Sequence, residues 1–158
     1  MQALVFPMTA AAALDADRVG PKAANLAALG RIGLPIPDGF CIDAAAYRLQ
    51  IASLGLDLTP RRGNGEAQVM AARRQAIEVR IQLQSSPLVP QLLEPLLAQW
   101  QALLARSGGA PVVVRSSSLV EDRFGSSFAG QFESYLGLNN EADFLTACLL
   151  YTSPSPRD

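Results

Sequence analysis

The segment 34–39, which reads Leu-Pro-Ile-Pro-Asp-Gly, constrains the fold of this chain most strongly. A residue that precedes proline avoids the helical region, so this segment is predicted to form an extended turn. Before it, Gly20-Pro21 predicts the start of a helix, because proline suits the first helical turn. After it, the apolar residues 40–42 predict a strand, and Asp43 is suited to cap a following helix. Together with a short predicted strand at residues 3–6, this order defines the first third of the fold.

Apolar residues at helical spacing predict three of the helices. The helix that begins at Pro21 carries Leu26 and Leu29 on one face. Two packing helices follow a polar connector, the first of them from about residue 66 to 84, and Pro95 is predicted to mark the start of the second. The apolar residues that define these two helices are Met70, Ile77 and Ile81 in the first, and Leu92, Leu96, Trp100 and Leu103 in the second.

The run Val112-Val113-Val114 is typical of a strand buried on both faces, and it ends in Arg115. Residues 116–130 are rich in serine and glycine and predict a loop, after which residues 133–138 return as a strand. Helices and strands in this arrangement predict an α+β fold, with a mixed sheet and packing helices.

The composition excludes several classes of protein. The chain has 158 residues, of which 49% are apolar, so it fits one globular domain. Its 13 basic and 14 acidic residues give a net charge of -1, which predicts no nucleic-acid partner and no anionic membrane surface as partner. No stretch approaches the roughly 20 apolar residues of a membrane span. Two cysteines without metal-ligand spacing favour a reducing cytoplasm, and no metal ligands are predicted.

The sequence contains no histidine. Histidine is the commonest general base and metal ligand, and it is also a carrier of phosphoryl groups. Catalysis by this chain alone would therefore need other groups.

Lys22 lies in the predicted first turn of a helix, where the macrodipole makes a cation unfavourable by roughly 0.3–1 kcal/mol. A phosphate held by the backbone N–H groups and the lysine together would relieve this. The alternative is a solvated surface lysine.

Arg115 is predicted to emerge at the carboxyl end of a core strand, where α/β proteins tend to bind ligands. Its planar guanidinium suits phosphate oxygens, and the alternative is a structural ion pair with Glu121 or Asp122. The loop 125–131 could bring backbone N–H groups close to an anion, or it could be a plain hairpin loop. Glu121 and Asp122 are adjacent on a loop, so a solvated pair is favoured over an acid/base site.

Two further residues have structural interpretations. Trp100 could stack on a base, but its helical periodicity favours a core position. Cys41 lies in an apolar strand and is interpreted as inert core.

Two long motifs stand in this sequence. The first consists of residues 19–26, Val-Gly-Pro-Lys-Ala-Ala-Asn-Leu, followed by 33–40, Gly-Leu-Pro-Ile-Pro-Asp-Gly-Phe. The second consists of Val-Arg-Ser-Ser at 114–117, Glu-Asp at 121–122 and Ser-Phe-Ala-Gly-Gln at 127–131. The first resembles the opening signature, and the second the second signature, of the phosphoenolpyruvate synthase and pyruvate phosphate dikinase family. This sequence departs from the pattern at Pro21 and Ala23, where glycine is usual, and at Ser134, where threonine is common.

The resemblance implies the N-terminal portion of an ATP-grasp nucleotide-binding domain. It implies that Lys22 and Arg115 contact ATP phosphates, with Arg115 as the catalytic residue, and that Gly130 and the Ser134 hydroxyl line the nucleotide site. The full-length parent would pass phosphoryl from ATP through a phosphohistidine to pyruvate, with Mg²⁺ held by residues outside this chain. The alternatives are another acceptor, as in the related rifamycin and glucan phosphotransferases, or a non-catalytic nucleotide-binding module.

Residues 148–158 resemble the conceptual translation of a sequencing adapter. Residues 1–147 are accordingly predicted to be an incomplete AMP/ATP-binding domain, and 148–158 a non-native tail. On this reading the chain alone is expected to be inactive.

Overall fold

A computed structural model describes residues 2–56, 65–116 and 134–151. Helices and small sheets mix along these ranges, which is consistent with the predicted α+β class. The elements are β1 (Val5–Pro7), a 3-10 turn (Ala11–Leu14), α1 (Ala16–Val19), α2 (Pro21–Arg31), β2 (Phe40–Ile42), α3 (Ala44–Ser53), α4 (Glu66–Ser85), α5 (Pro90–Arg106), β3 (Val112–Arg115), β4 (Ser134–Leu138) and α6 (Glu141–Tyr151). Among these helices, none combines the length and the apolar character needed to cross a membrane.

The described strands form two separate antiparallel pairs in place of the predicted mixed sheet. β1 pairs with β2, with Val5 opposite Ile42, and β3 pairs with β4. The second pair contains an irregularity between Val112 and Val114, and Gly137 on the facing strand has φ 72°. Each pair is covered by its own helix, since α5 packs against β1 and α6 packs against β3 and β4.

α2 packs on the core through two of its alanines, whereas the face that carries Leu26 and Leu29 is more open to solvent. Ala24 and Ala27 are buried together with Phe6 and Cys41, but Leu29 is exposed. The end of the helix explains this position. The Leu34 N–H donates to the Leu29 carbonyl at 3.2 Å, as in a Schellman motif, which often sets two such side chains against each other at the surface.

Asp43 caps α3 as predicted. Its Oδ1 accepts a hydrogen bond from the Ala45 N–H at 2.8 Å. Further along α3, the buried Gln50 ties the helix to the segment before α5. Its Nε2 donates to the Pro87 carbonyl and its Oε1 accepts from the Val89 N–H, both at 3.0 Å.

α4 occupies the predicted range but buries the opposite face. Val79 and Leu83 are buried against Ile51 of α3, whereas Met70, Ile77 and Ile81 are exposed. The apolar spacing was read correctly as helical, but two faces of this helix carry apolar residues. Periodicity alone does not tell which face has a partner.

α5 contributes three buried residues to the main core, Leu92, Leu96 and Trp100. Its four predicted residues are buried, and the Trp100 ring stacks on Phe144 of α6 with centroids 4.4 Å apart, which confirms Trp100 as core. Pro95 lies inside the helix, so the prediction that it marks the start is wrong. Pro90 is the first helical residue, and burial of the apolar face outweighs the roughly 3 kcal/mol that an interior proline costs.

α6 spans the predicted boundary at residue 147. Phe144, Ala147 and Cys148 are all buried in the main core. The assignment of residues 148–158 as a non-native tail stays a prediction.

Candidate functional site

Gly20 sets the backbone conformation at the amino end of α2, and residues with a Cβ atom do not readily adopt this conformation. Gly20 joins α1 to α2 with φ 80° and ψ 160°, a conformation that strains any residue with a Cβ atom. Pro21 is then the first helical residue and Lys22 the second, with an exposed side chain. The first turn of a helix presents backbone N–H groups and the positive end of the macrodipole. The predicted lysine and a helix N-terminus thus occupy one turn.

Arg18 holds this junction onto the rest of the fold. Its Nε donates to Asp43 Oδ2 at 2.6 Å, and its Nη2 donates to the Ala3 carbonyl at 3.1 Å. The guanidinium carbon also lies 4.9 Å from the centre of the Phe6 ring. Asp43 also caps α3. Its carboxylate therefore links the start of α3 to Arg18, which lies two residues before Gly20. No local pattern in the sequence singles out Arg18, because its partner Asp43 lies 25 residues away along the chain.

An ion pair between Arg106 and Asp38 holds the turn between α2 and β2. The Arg106 guanidinium donates to both oxygens of Asp38, from Nε at 2.6 Å and from Nη2 at 3.2 Å. This hydrogen-bonded ion pair holds the pKa of the Asp38 carboxyl below its usual value. The conformation of the proline-rich turn is therefore braced by the last turn of α5.

Arg115 and Ser134 lie directly opposite each other on the β3–β4 pair. The register places them as cross-strand partners, Arg115 at the end of β3 and Ser134 at the start of β4. Side chains of such partners project from the same face of a sheet, with Cβ atoms about 4.5–5.5 Å apart. Both residues are exposed. The structure thus brings together two of the four predicted site residues.

The face that carries these two residues is open, so the prediction that β3 is buried on both faces is wrong. Val113 and Leu136 share this face and are exposed. The opposite face carries Val112 and Val114, which pack on the main core beneath. A pair of strands covered by helices on one side only leaves the other side accessible.

Ser116, the residue after Arg115, contributes an unusual polar atom. Its Oγ is buried and makes no hydrogen bond to the part of the chain that the structure describes. Buried polar atoms of this kind normally have a partner. In the sequence this serine stands out only as part of the motif at 114–117.

The remaining predicted residues lie outside the described residues. These are Gly130, the loop 125–131 and the Glu121-Asp122 pair. Lys22 lies in α2, which packs on α1 and the 3-10 turn, whereas Arg115 lies in the pair of strands that packs on α6. That both face one cleft stays a prediction.

The thiols belong to the core. Burial raises the pKa of Cys41 to about 11 and that of Cys148 to about 12, so both are protonated and unreactive near neutral pH. The Cys41 thiol lies 3.1 Å from the Met8 sulfur. Among the residues that the structure describes, no three His, Cys, Asp or Glu side chains cluster as a metal site would require.

Comparison with known proteins gives this arrangement a context. Residues 16–153 match the family model described as the pyruvate phosphate dikinase AMP/ATP-binding domain. The chain is 35% identical to the phosphoenolpyruvate synthase of Neisseria meningitidis over 134 residues, which cover 79% of this chain and 17% of that protein. It is 31% identical to a probable phosphoenolpyruvate synthase of Staphylothermus marinus, covering 80% of this chain and 16% of that protein.

A third relative has a different name. The chain is 36% identical to the rifampicin phosphotransferase of Streptomyces sviceus over 132 residues, which cover 80% of this chain and 15% of that protein. The chain thus spans about a sixth of the length of these curated relatives. Since the family model matches most of the sequence, the chain belongs to the family of pyruvate phosphate dikinase AMP/ATP-binding domains.

Proposed function

We propose that this chain forms part of the ATP site of a phosphotransferase. Lys22 and Arg115 bind phosphate oxygens of the triphosphate, and Gly130 and the Ser134 hydroxyl line the nucleotide site. Arg115 also stabilises the charge that develops during transfer, which makes it the catalytic residue of this chain.

The single observation that carries the proposal is the pairing of Arg115 with Ser134 on an open face. A guanidinium and a hydroxyl side by side supply hydrogen-bond donors that match phosphate or ribose oxygens. The neighbouring Val113 and Leu136 add apolar surface, which suits the less polar part of a nucleotide.

The start of α2 supports a phosphate contact at Lys22. An exposed cation in the first turn of a helix is unfavourable by itself, but an anion bound there gains from both the lysine and the helix N-terminus. Gly20 and Arg18 fix the direction in which this turn points.

We place this site in a larger ATP-grasp enzyme that transfers phosphoryl from ATP through a histidine to pyruvate. The chain has no histidine, so the carrier would lie elsewhere in the parent protein. The described residues also hold no acidic cluster suited to Mg²⁺, so the ligands of that ion are expected elsewhere too. When bound, Mg²⁺ would offset phosphate charge.

Two kinds of phosphoryl acceptor are candidates for the parent protein. Identity to the rifampicin phosphotransferase is 36%, against 35% for the Neisseria phosphoenolpyruvate synthase, so similarity within this domain does not separate the two acceptors. The matched region is the ATP-binding domain, and acceptor specificity would reside in other domains of the parent.

The test is a kinetic comparison in the full-length parent protein with ATP as the varied substrate. Lys22→Ala and Arg115→Ala should each lower kcat/KM by about 100-fold or more, and Arg115→Lys should also be damaging because it loses the planar fork. Arg31→Ala and Arg48→Ala remove exposed arginines elsewhere on α2 and α3 and should change kcat/KM less than about threefold. Turnover near the wild-type value in Arg115→Ala would refute its assigned role.

A further inference from the structure

The open face of the β3–β4 pair changes from polar to apolar over one step along the strands. Arg115 and Ser134 form the cross-strand pair at one end. Two residues away on each strand, and on the same face, lie Val113 and Leu136, whose exposed fractions are 46% and 73%. Same-face neighbours on a strand are about 7 Å apart. We call the apolar end, Val113 and Leu136, the β3–β4 platform.

A β-bulge borders the platform on the side away from Arg115. On β3, Val112 and Val114 are two residues apart. Their partners on β4, Leu138 and Tyr135, are three residues apart, so β4 carries one extra residue there. Gly137 lies in this bulge with φ 72°, a conformation that favours glycine, and a Cβ atom at Gly137 would meet no other atom within 4 Å. Bulges often occur next to ligand sites, and this one adds no side chain beside the platform.

We propose that the base of a bound nucleotide lies flat on the β3–β4 platform, with its phosphates toward Arg115 and Ser134. The inference rests on the proposed function and adds the place and the orientation of the base. The Arg115 guanidinium matches an anion, and the platform matches a flat apolar ring. A nucleotide holds both in one molecule, and its ribose joins them over a distance close to the step of about 7 Å between the two residue pairs.

The charge on this face favours a nucleotide over an apolar segment of another protein domain. Across β3 and β4, Arg115 is the one charged residue, and neither strand carries an acidic side chain. An apolar protein segment would cover the platform but would bring no anion to Arg115. A nucleotide covers both ends of the face, in agreement with a family of AMP/ATP-binding domains.

The platform supports the base without reading its edge. Valine and leucine side chains neither donate nor accept hydrogen bonds, so they contact the flat face of any base equally. Strong discrimination between similar ligands requires hydrogen-bonding groups that are left unpaired by the wrong one. Val113 and Leu136 therefore contribute affinity that does not depend on the base, and selection of adenine is assigned to other residues.

Nuclear magnetic resonance of the ¹⁵N,¹³C-labelled 158-residue chain, titrated with ATP, GTP and inorganic tripolyphosphate, tests the placement of the base. Both nucleotides should move the methyl signals of Val113 and Leu136 upfield, because these methyl groups lie over an aromatic ring. Tripolyphosphate should shift the Arg115 and Ser134 amides and leave the platform methyl signals in place.

The same titrations separate failure of this inference from failure of the proposed function. If all three ligands shift the Arg115 and Ser134 amides but neither nucleotide moves the platform methyl signals, the base lies elsewhere and the phosphate contacts stand. If none of the three ligands shifts the Arg115 amide, the proposed function is wrong and this inference is wrong with it.

Substitutions at Leu136 give a quantitative test, and its exposure means that they leave the core intact. Leu136→Ala should weaken ATP and GTP by the same factor, about threefold, without changing the affinity for tripolyphosphate. Leu136→Phe should tighten both nucleotides severalfold, because an aromatic ring stacks on any base. The matched control Ile32→Ala, at an apolar residue that is 75% exposed, should change none of these affinities. Wild-type ATP affinity in Leu136→Ala, or a loss confined to one of the two nucleotides, would overturn the proposal.

Discussion

Asp43 joins three parts of the fold, and its replacement gives the sharpest stability test. Its Oδ2 accepts from Arg18 and its Oδ1 accepts from the Ala45 N–H at the start of α3. Only 6% of the Asp43 side chain and 19% of the Arg18 side chain are exposed, so this is a largely buried ion pair. Asp43→Asn keeps a cap acceptor but removes the charge, whereas Asp43→Ala removes both.

The two substitutions should therefore differ by the value of the cap. Removing one partner of a fully buried pair costs about 3–5 kcal/mol, and the partial exposure of Arg18 lowers this cost, so we expect about 2–3 kcal/mol for Asp43→Asn. Loss of a helix cap costs about 1 kcal/mol more, so Asp43→Ala should cost about 3–4 kcal/mol.

Urea unfolding followed by Trp100 fluorescence measures both free energies, because Trp100 is buried in the main core. Arg18→Met, alone and combined with Asp43→Asn, completes a double-mutant cycle that isolates the ion pair. A cost below about 1 kcal/mol for Asp43→Ala, or a coupling energy of about zero in the cycle, would refute the role assigned to this carboxylate.

Three further predictions concern single positions. Gly20→Ala should destabilise the fold by about 1–3 kcal/mol in the same unfolding assay, because φ 80° with ψ 160° strains a side chain, while an unchanged midpoint would contradict the observed turn. Pro95→Ala should stabilise the chain, by up to about 3 kcal/mol, since it restores a helical N–H donor, and a loss of stability would show that the proline ring is needed for packing. Cys41, with its pKa raised to about 11, should be alkylated about 100-fold more slowly than an ordinary thiol at pH 8. In the native chain the alkylation rate of Cys41 should rise tenfold per pH unit up to about pH 10. In the urea-unfolded chain the rate should instead level off near about pH 9. A plateau near pH 9 in the native chain would refute the claim that burial raises the pKa of this thiol.

Local signals in the sequence predicted the elements well. Proline at the first position of α2 and Asp43 at the cap of α3 act through their own backbone neighbours, so they can be read without knowing the tertiary fold. The same holds for the extended turn before β2.

Predictions that depended on packing partners were less successful. The stripe at Met70, Ile77 and Ile81 and the pair Leu26 and Leu29 have helical spacing, but spacing does not specify which neighbour covers a face. The triple valine of β3 also has the composition of a doubly buried strand, although only one face is covered by α6.

The candidate site was predicted in part for the same reason. Lys22 and Arg115 stand out in the sequence because each is a charged residue at an element end that local sequence signals predict. Lys22 lies at the start of a helix, and Arg115 lies at the end of a strand. The pairing of Arg115 with Ser134 depends on register across a long connection, which the sequence alone does not determine. Arg18 acts through Asp43, which lies 25 residues away, and no local pattern reveals such a contact.

Under the proposed function, Lys22 and the Arg115–Ser134 pair contact one triphosphate. A titration of the ¹⁵N-labelled chain with ATP, followed by amide chemical shifts, tests this directly, with adenosine as the control that lacks phosphates. We expect the amides of Lys22, Arg115 and Ser134 to shift together with one dissociation constant near roughly 1 mM, and adenosine to leave Lys22 and Arg115 unmoved. If ATP shifts only one of the two regions, or shifts them with different dissociation constants, then they do not share one nucleotide site and the account is wrong.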